Sequence, residues 1–188
     1  AFALTPLAVQ GTIVIMINHA ITTSLLFLLA GDIVDAGGHE DLARGLALAT
    51  HAPRRGILLV LAVLSTIGLP GTNGFVGEFL VLLGAFSAAP MLTAVATSGV
   101  VLAAVYGLRM MQQALFATEP APLEREPTDL SPRQTWTLVG FGIAIVWLGL
   151  APGHLLRAVE GPARQVVESV RFGTNAPTSQ TAAPVGRP

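Results

Sequence analysis

Hydrophobic residues form four long runs along the 188-residue chain, and polar or small residues separate the runs. The runs cover residues 11–31, 56–86, 91–117 and 136–156. A membrane-spanning helix needs about 20 mostly apolar residues, so each run predicts one transmembrane helix. The second run is too long for one upright helix and contains a proline among glycines, which predicts a break between Pro70 and Gly74. The pattern predicts an all-α, polytopic membrane protein with four transmembrane helices within residues 1–156.

The segments outside these runs differ from one another. Residues 32–55 form a polar stretch, which we interpret as a solvated loop. Its acidic and histidine side chains could suggest a metal site: Asp32, Asp35, His39, Glu40 and Asp41. We predict no metal site, because Gly37 and Gly38 break the helical spacing of these side chains. Residues 87–90 are short enough to predict a tight helical hairpin. Residues 157–172 are amphipathic, which predicts an interfacial helix. Residues 173–188 are rich in Ala, Pro, Thr and Ser, which predicts a disordered tail.

Composition supports a location in the membrane. The chain is 52% hydrophobic and 11% charged, whereas about 25% of the residues of a soluble domain are charged. A soluble enzyme is excluded on this balance, and so is a nucleic-acid-binding protein, because the net charge is -1. The chain has no cysteine for an iron–sulfur cluster and no lysine for a Walker-type phosphate loop. Arginines on both sides of the hairpin predict that its turn faces outward and that the two longer loops face the cytoplasm, although the tail arginines oppose this orientation.

Two ionisable side chains, His19 and Glu78, lie inside apolar runs. A charge at the bilayer centre costs about 2.5–3.5 kcal/mol on insertion scales, so such residues are usually functional. His19 is eight residues from Gly11, and Glu78 is eight residues from Phe86. At a rise of about 1.5 Å per residue, antiparallel helices would place both about 12 Å below the same face. Because histidine and a carboxylic acid in an apolar site exchange protons near neutral pH, the pair predicts proton translocation. The structural alternative is that His19 binds a backbone carbonyl and Glu78 pairs with an arginine.

The predicted break is the second candidate feature. Irregular backbone at membrane depth occurs where it is buried in protein or lines a watery cavity, and transporters build ion sites from discontinuous helices. We therefore predict that the break contributes channel backbone, with these residues: Leu69, Pro70, Gly71, Thr72, Asn73 and Gly74. A simple proline kink with small residues for close packing is the alternative. The glycine spacing does not match a dinucleotide-binding loop, and no catalytic redox group is predicted.

Three stretches resemble a known family: Met16–His19, Leu26–Gly31 and Gly68–Phe79. They resemble the M subunits of bacterial proton-pumping NADH:quinone oxidoreductase (complex I), which are antiporter-like membrane subunits. The resemblance is strong over residues 5–86, weaker in the third helix and absent from the tail. Related L and N subunits and multisubunit sodium/proton antiporters usually have lysine in place of Glu78.

The resemblance implies the C-terminal part of a fourteen-helix antiporter-like fold, with His19 as a proton relay and Glu78 near the outward exit. It implies a non-redox membrane subunit of an oxidoreductase that is inactive as a fragment. No cofactor is expected in this chain, and FMN and iron–sulfur clusters are expected in other subunits. The implied partners are the L and N subunits, small membrane subunits and the lipid bilayer, in the bacterial inner (plasma) membrane. A cation/proton antiporter subunit and a purely structural membrane subunit remain the alternatives.

Overall fold

A computed structural model describes residues 3–35, 46–116 and 129–173 of the chain, with side chains as far as residue 170. Within these residues all regular structure is helical. The helices are α1 (Pro6–Asp35), α2 (Leu48–His51), α3 (Pro53–Thr66), α4 (Asn73–Phe86), α5 (Pro90–Leu115), α6 (Pro132–Leu150) and α7 (Gly153–Gly173). Residues 36–45 of the polar stretch, with His39, Glu40 and Asp41, and nearly all of the predicted tail lie outside the described residues.

The first helix is longer than the first hydrophobic run. Helix α1 starts at Pro6, where a proline suits the first helical turn, and continues to Asp35. The assignment of Asp32 and Asp35 to a solvated loop is therefore wrong, because both belong to the last turn of α1. The helix continues there because Asp32 pairs with an arginine of α3 and is not left to solvent.

The second hydrophobic run consists of two helices and not of one kinked helix. Helices α3 and α4 have 14 residues each, and residues 67–72 between them are not helical. The interruption begins three residues before Pro70, and Gly74 already lies in the first turn of α4. At about 1.5 Å per residue each helix is about 21 Å long, so neither alone crosses a hydrocarbon layer of about 30 Å.

The fourth run also divides. Helix α6 starts after a capping box in which Ser131 and Gln134 bond reciprocally, and it ends at Leu150. The chain then bends by 73° into α7, so the predicted span 136–156 crosses the bend. By length and composition, the described residues contain two single helices able to cross a membrane, α1 and α5, and the bent pair α6–α7 is a third candidate.

Helix α1 lies at the centre and contacts α3, α4, α6 and α7. Its partner α4 runs antiparallel and approaches closely, because glycines face the other backbone. A β-carbon on Gly84 would lie 2.5 Å from the backbone nitrogen of Ala8, and one on Gly77 would lie 2.9 Å from that of Ile15. Small residues of this kind let the backbones of two membrane helices approach closely. Here they determine which residues of α1 and α4 lie opposite each other.

Helix α7 is amphipathic, and its apolar side packs on α1. Val159, Ala163 and Val167 are buried at a spacing of four residues and contact Val9. The side chain of Gln10 also donates to the carbonyl of Leu156 at 2.9 Å. The apolar side of α7, which predicted an interfacial helix, is thus covered by α1.

Candidate functional site

The break between α3 and α4 is a turn made by residues that suit its backbone. The amide of Thr72 donates to the carbonyl of Leu69 at 3.0 Å, and its hydroxyl donates to the same carbonyl at 2.7 Å. Pro70 and Gly71 are the two central residues, and Gly71 has φ +96°. Proline followed by a residue of positive φ is the signature of a type II turn. Local sequence therefore dictates the turn.

A second glycine brings the start of α4 against the end of α3. A β-carbon on Gly74 would overlap the carbonyl oxygen of Ser65. Glycine alone permits this approach, which places the first turn of α4 beside Ser65. The carbonyl is backbone, so it has little freedom to move away.

Four buried polar side chains join α1, α3 and α4 at this point, and we call them the amide–hydroxyl cluster: Asn18, Thr22, Ser65 and Asn73. The side-chain amide of Asn18 donates to the backbone carbonyl of Asn73 at 2.6 Å. The side-chain oxygen of Asn73 accepts from Ser65 at 2.6 Å and from Thr22 at 3.3 Å. Such a network in an apolar surrounding specifies one arrangement of the three helices.

Glu78 lies one and a half turns further along α4, against the break. A β-carbon on Gly68 would overlap Oε2 of Glu78, and it would lie 3.1 Å from the carboxyl carbon. The carboxylate is half-buried and makes no hydrogen bond or ion pair with any described residue. The arginine partner required by the structural alternative is therefore not found in the described part of the chain.

His19 and Glu78 line one small cavity of about 60 Å³, together with Asn18, Thr22, Ser65, Thr66, Ile15 and Gly74. His19 is exposed on the other side, and its ring lies 3.3 Å from the hydroxyl of Thr23. Glu78 also borders an apolar groove of about 300 Å³ that α5 helps to form. The structure thus brings the two predicted residues together, and of the predicted break residues Gly74 lines the same cavity. Their role in proton translocation stays a prediction.

Sequence reasoning missed the amide–hydroxyl cluster. Asn18 and Thr22 were visible only as polar interruptions of the first run, although their spacing of four residues puts them on one helix face. Ser65 gave no signal of its own, because it lies inside an apolar run, and Asn73 was predicted only as backbone of the break and not as a side-chain partner of α1.

A buried ion pair was missed as well. Arg55 is 3% exposed, and its Nε lies 2.5 Å from Oδ2 of Asp32. The side-chain amide of Gln134 donates to the other oxygen of Asp32. The pair ties α1, α3 and α6 together at the predicted cytoplasmic end, where the sequence suggested only loop charges.

Comparison with known proteins assigns the family. Residues 1–104 match the profile of the NADH:quinone oxidoreductase/Mrp antiporter transmembrane family. Because the match covers more than half of the chain, the chain belongs to this family. Subunit M of NADH-quinone oxidoreductase from Pseudomonas aeruginosa is 34% identical over 149 residues, which are 79% of this chain and 29% of that protein. The predicted resemblance to M subunits is confirmed.

Two solved structures share the fold of this chain. A chain of respiratory complex I from Thermus thermophilus superposes with a TM-score of 0.80 and 31% identity, covering 89% of this chain and 35% of that chain. A chain of the archaeal membrane-bound sulfane sulfur reductase superposes with a TM-score of 0.74 and 22% identity. The match covers 98% of this chain and 34% of that chain, and it shows that the two share a fold. The chain spans about a third of the length of the relatives that it matches.

Proposed function

We propose that this chain is the C-terminal part of a proton-pumping membrane subunit of NADH:quinone oxidoreductase. The observation that carries the proposal is that His19 and Glu78 line one cavity beside a helix break. Both side chains can hold and release a proton, and six of the eight residues that line the cavity have polar side chains. The names of the relatives support the choice of complex, because they are subunits of NADH-quinone oxidoreductase.

In this proposal the chain performs no redox step. Quinone is reduced elsewhere in the complex, and FMN and iron–sulfur clusters are bound by other subunits. His19 relays a proton and Glu78 passes it to the outward side. The chain works only within a complete fourteen-helix subunit, where α1, the pair α3–α4, α5 and α6 are the last four spans. Its partners are the L and N subunits and small membrane subunits in a bacterial inner membrane.

The test replaces the carboxyl group of Glu78 while preserving its size. Glu78→Gln in the assembled complex should abolish most NADH-driven proton uptake into inverted vesicles, because glutamine cannot release a proton. Glu168→Gln is the matched control, since Glu168 is exposed on α7 and distant in sequence from the break. Pumping that continues unchanged in a fully assembled Glu78→Gln complex would remove the proposed role of this residue.

The second candidate, a subunit of a cation/proton antiporter, follows from the breadth of the family, whose description includes Mrp antiporters. Sodium-dependent proton exchange in vesicles without NADH would favour it. NADH-dependent pumping that needs no sodium would favour the first proposal.

A further inference from the structure

One polar atom of the amide–hydroxyl cluster has no partner. Oδ1 of Asn18 is buried and accepts no hydrogen bond from any described residue. The amide orientation is fixed, because the nitrogen of the same group donates to the carbonyl of Asn73 at 2.6 Å. Asn18 is only 2% exposed, so bulk solvent does not supply the missing donor. A buried carbonyl oxygen without a donor is costly, and such atoms usually have an ordered water as partner.

The space for that partner is the cavity lined by Asn18, His19 and Glu78. Its volume of about 60 Å³ exceeds the roughly 10–15 Å³ that a cavity needs to hold one water molecule. The residues that line it include Asn18, Glu78 and His19, whose side chains carry polar groups. These are the two to four polar groups that a buried water requires.

We propose that Asn18 is a positioning residue that holds an ordered water between His19 and Glu78. This inference rests on the proposed function of those two residues. The water donates one hydrogen to Oδ1 of Asn18, which orients its lone pairs and its second hydrogen toward the two ionisable groups. A proton then leaves the N–H of the His19 imidazolium for the water as another leaves the water for the Glu78 carboxylate. The water is regenerated, the imidazole becomes neutral and the carboxyl becomes protonated.

The surrounding polar groups favour water over a metal cation. The side-chain oxygen of Asn73 already accepts from Ser65 and Thr22, and the hydroxyl of Thr66 donates to the carbonyl of Ala62 at 2.9 Å. Hard cations take a shell of about six oxygen ligands. The cavity wall also carries the histidine ring and the apolar Ile15, so it does not form such a shell.

The test pairs Asn18→Leu with Thr93→Val. Leucine keeps the branched shape of the side chain and removes both its acceptor and its donation to the carbonyl of Asn73. Thr93 is a buried polar residue of α5 whose hydroxyl donates to the carbonyl of Ala89, and it does not line the cavity. Thr93→Val therefore removes a buried polar group outside the cavity and outside the break.

An electron cryo-microscopy map of the assembled complex, at a resolution that shows waters, should contain density within hydrogen-bond distance of Oδ1 of Asn18. We expect this density in the wild type and in Thr93→Val, and its loss in Asn18→Leu. NADH-driven pumping should fall about tenfold in Asn18→Leu, the rate equivalent of one hydrogen bond. It should stay near the wild-type rate in Thr93→Val.

Several results would overturn the inference. They are a wild-type map without the density, a density that survives Asn18→Leu, equal pumping losses in Asn18→Leu and Thr93→Val, and a density that appears only in sodium-containing buffer. The wild-type map decides even if Asn18→Leu does not assemble. If the water is missing while Glu78→Gln still stops pumping, the inference about Asn18 is refuted and the proposed function stands. If the water is present while Glu78→Gln pumps normally, the proposed function falls.

Discussion

Gly68 offers a direct test of whether the position of the Glu78 carboxyl matters. Gly68 has φ +69°, and the substitution Gly68→Ala has two separate effects. An alanine in the left-handed region costs about 1–2 kcal/mol. Its β-carbon would also overlap Oε2 of Glu78, so the carboxyl must leave its place at the break. That end of the side chain is flexible, and the displacement therefore adds little to the loss of stability.

Gly71→Ala is the matched control. Gly71 lies in the same break and has φ +96°, so the backbone strain should be of the same order, about 1–2 kcal/mol. Its β-carbon would meet only the end of Leu150, at an ordinary contact distance of 4.0 Å. The two variants thus share the backbone strain, and they differ in the overlap with Glu78.

Two measurements on the assembled complex separate the effects. Thermal unfolding in detergent should show similar destabilisation for both variants. NADH-driven proton uptake should be near the wild-type rate for Gly71→Ala and should fall by about tenfold to 10²-fold for Gly68→Ala, because a displacement of about 1 Å at a reacting group can cost about 10²-fold.

A double variant checks the cause. In a Glu78→Gln background, Gly68→Ala should lower pumping no further, because the group that it displaces no longer carries a proton. Equal pumping losses for Gly68→Ala and Gly71→Ala at equal assembly would refute the reasoning. The break would then act only through the stability of the fold.

Three further predictions concern stability, measured by thermal or urea unfolding in detergent. Arg55→Ala should destabilise by about 3–5 kcal/mol, because it leaves the Asp32 carboxylate buried without its ion-pair partner; the double variant with Asp32→Asn should recover part of the loss, and no recovery would contradict this cause. Gly84→Ala should cost about 1–3 kcal/mol, because its β-carbon meets the backbone of α1, whereas Gly99→Ala, with nothing within 4 Å, should stabilise α5 by up to about 1 kcal/mol; equal effects would argue against close packing of α1 and α4. Ser131→Ala should cost about 0.5–2 kcal/mol through loss of the α6 cap, and an unchanged midpoint would mean that the cap contributes nothing.

Much of the candidate site follows from the sequence. Ionisable residues inside apolar runs are rare, so His19 and Glu78 stood out before any contact was known. Equal spacing from the ends of the hydrophobic runs predicted a shared layer. The structure places both residues on one cavity, although α1 begins at Pro6, five residues before the end at Gly11 from which the depth of His19 was counted. The hydroxyl and amide groups around them did not stand out, since single Ser, Thr and Asn residues are common in apolar helices and carry no comparable cost.

The sequence by itself determined the helical class, the break and the pair of ionisable residues. These features depend on local chemistry, because hydrophobic runs set helix location, and proline and glycine set the turn at Pro70 and Gly71. Only the tertiary structure decided which side chains meet across the bundle. Asn18 bonds to Asn73, 55 residues away, and Asp32 bonds to Gln134, 102 residues away. Such contacts depend on the rotation and register of packed helices, which the glycine contacts between α1 and α4 establish and which no local pattern encodes.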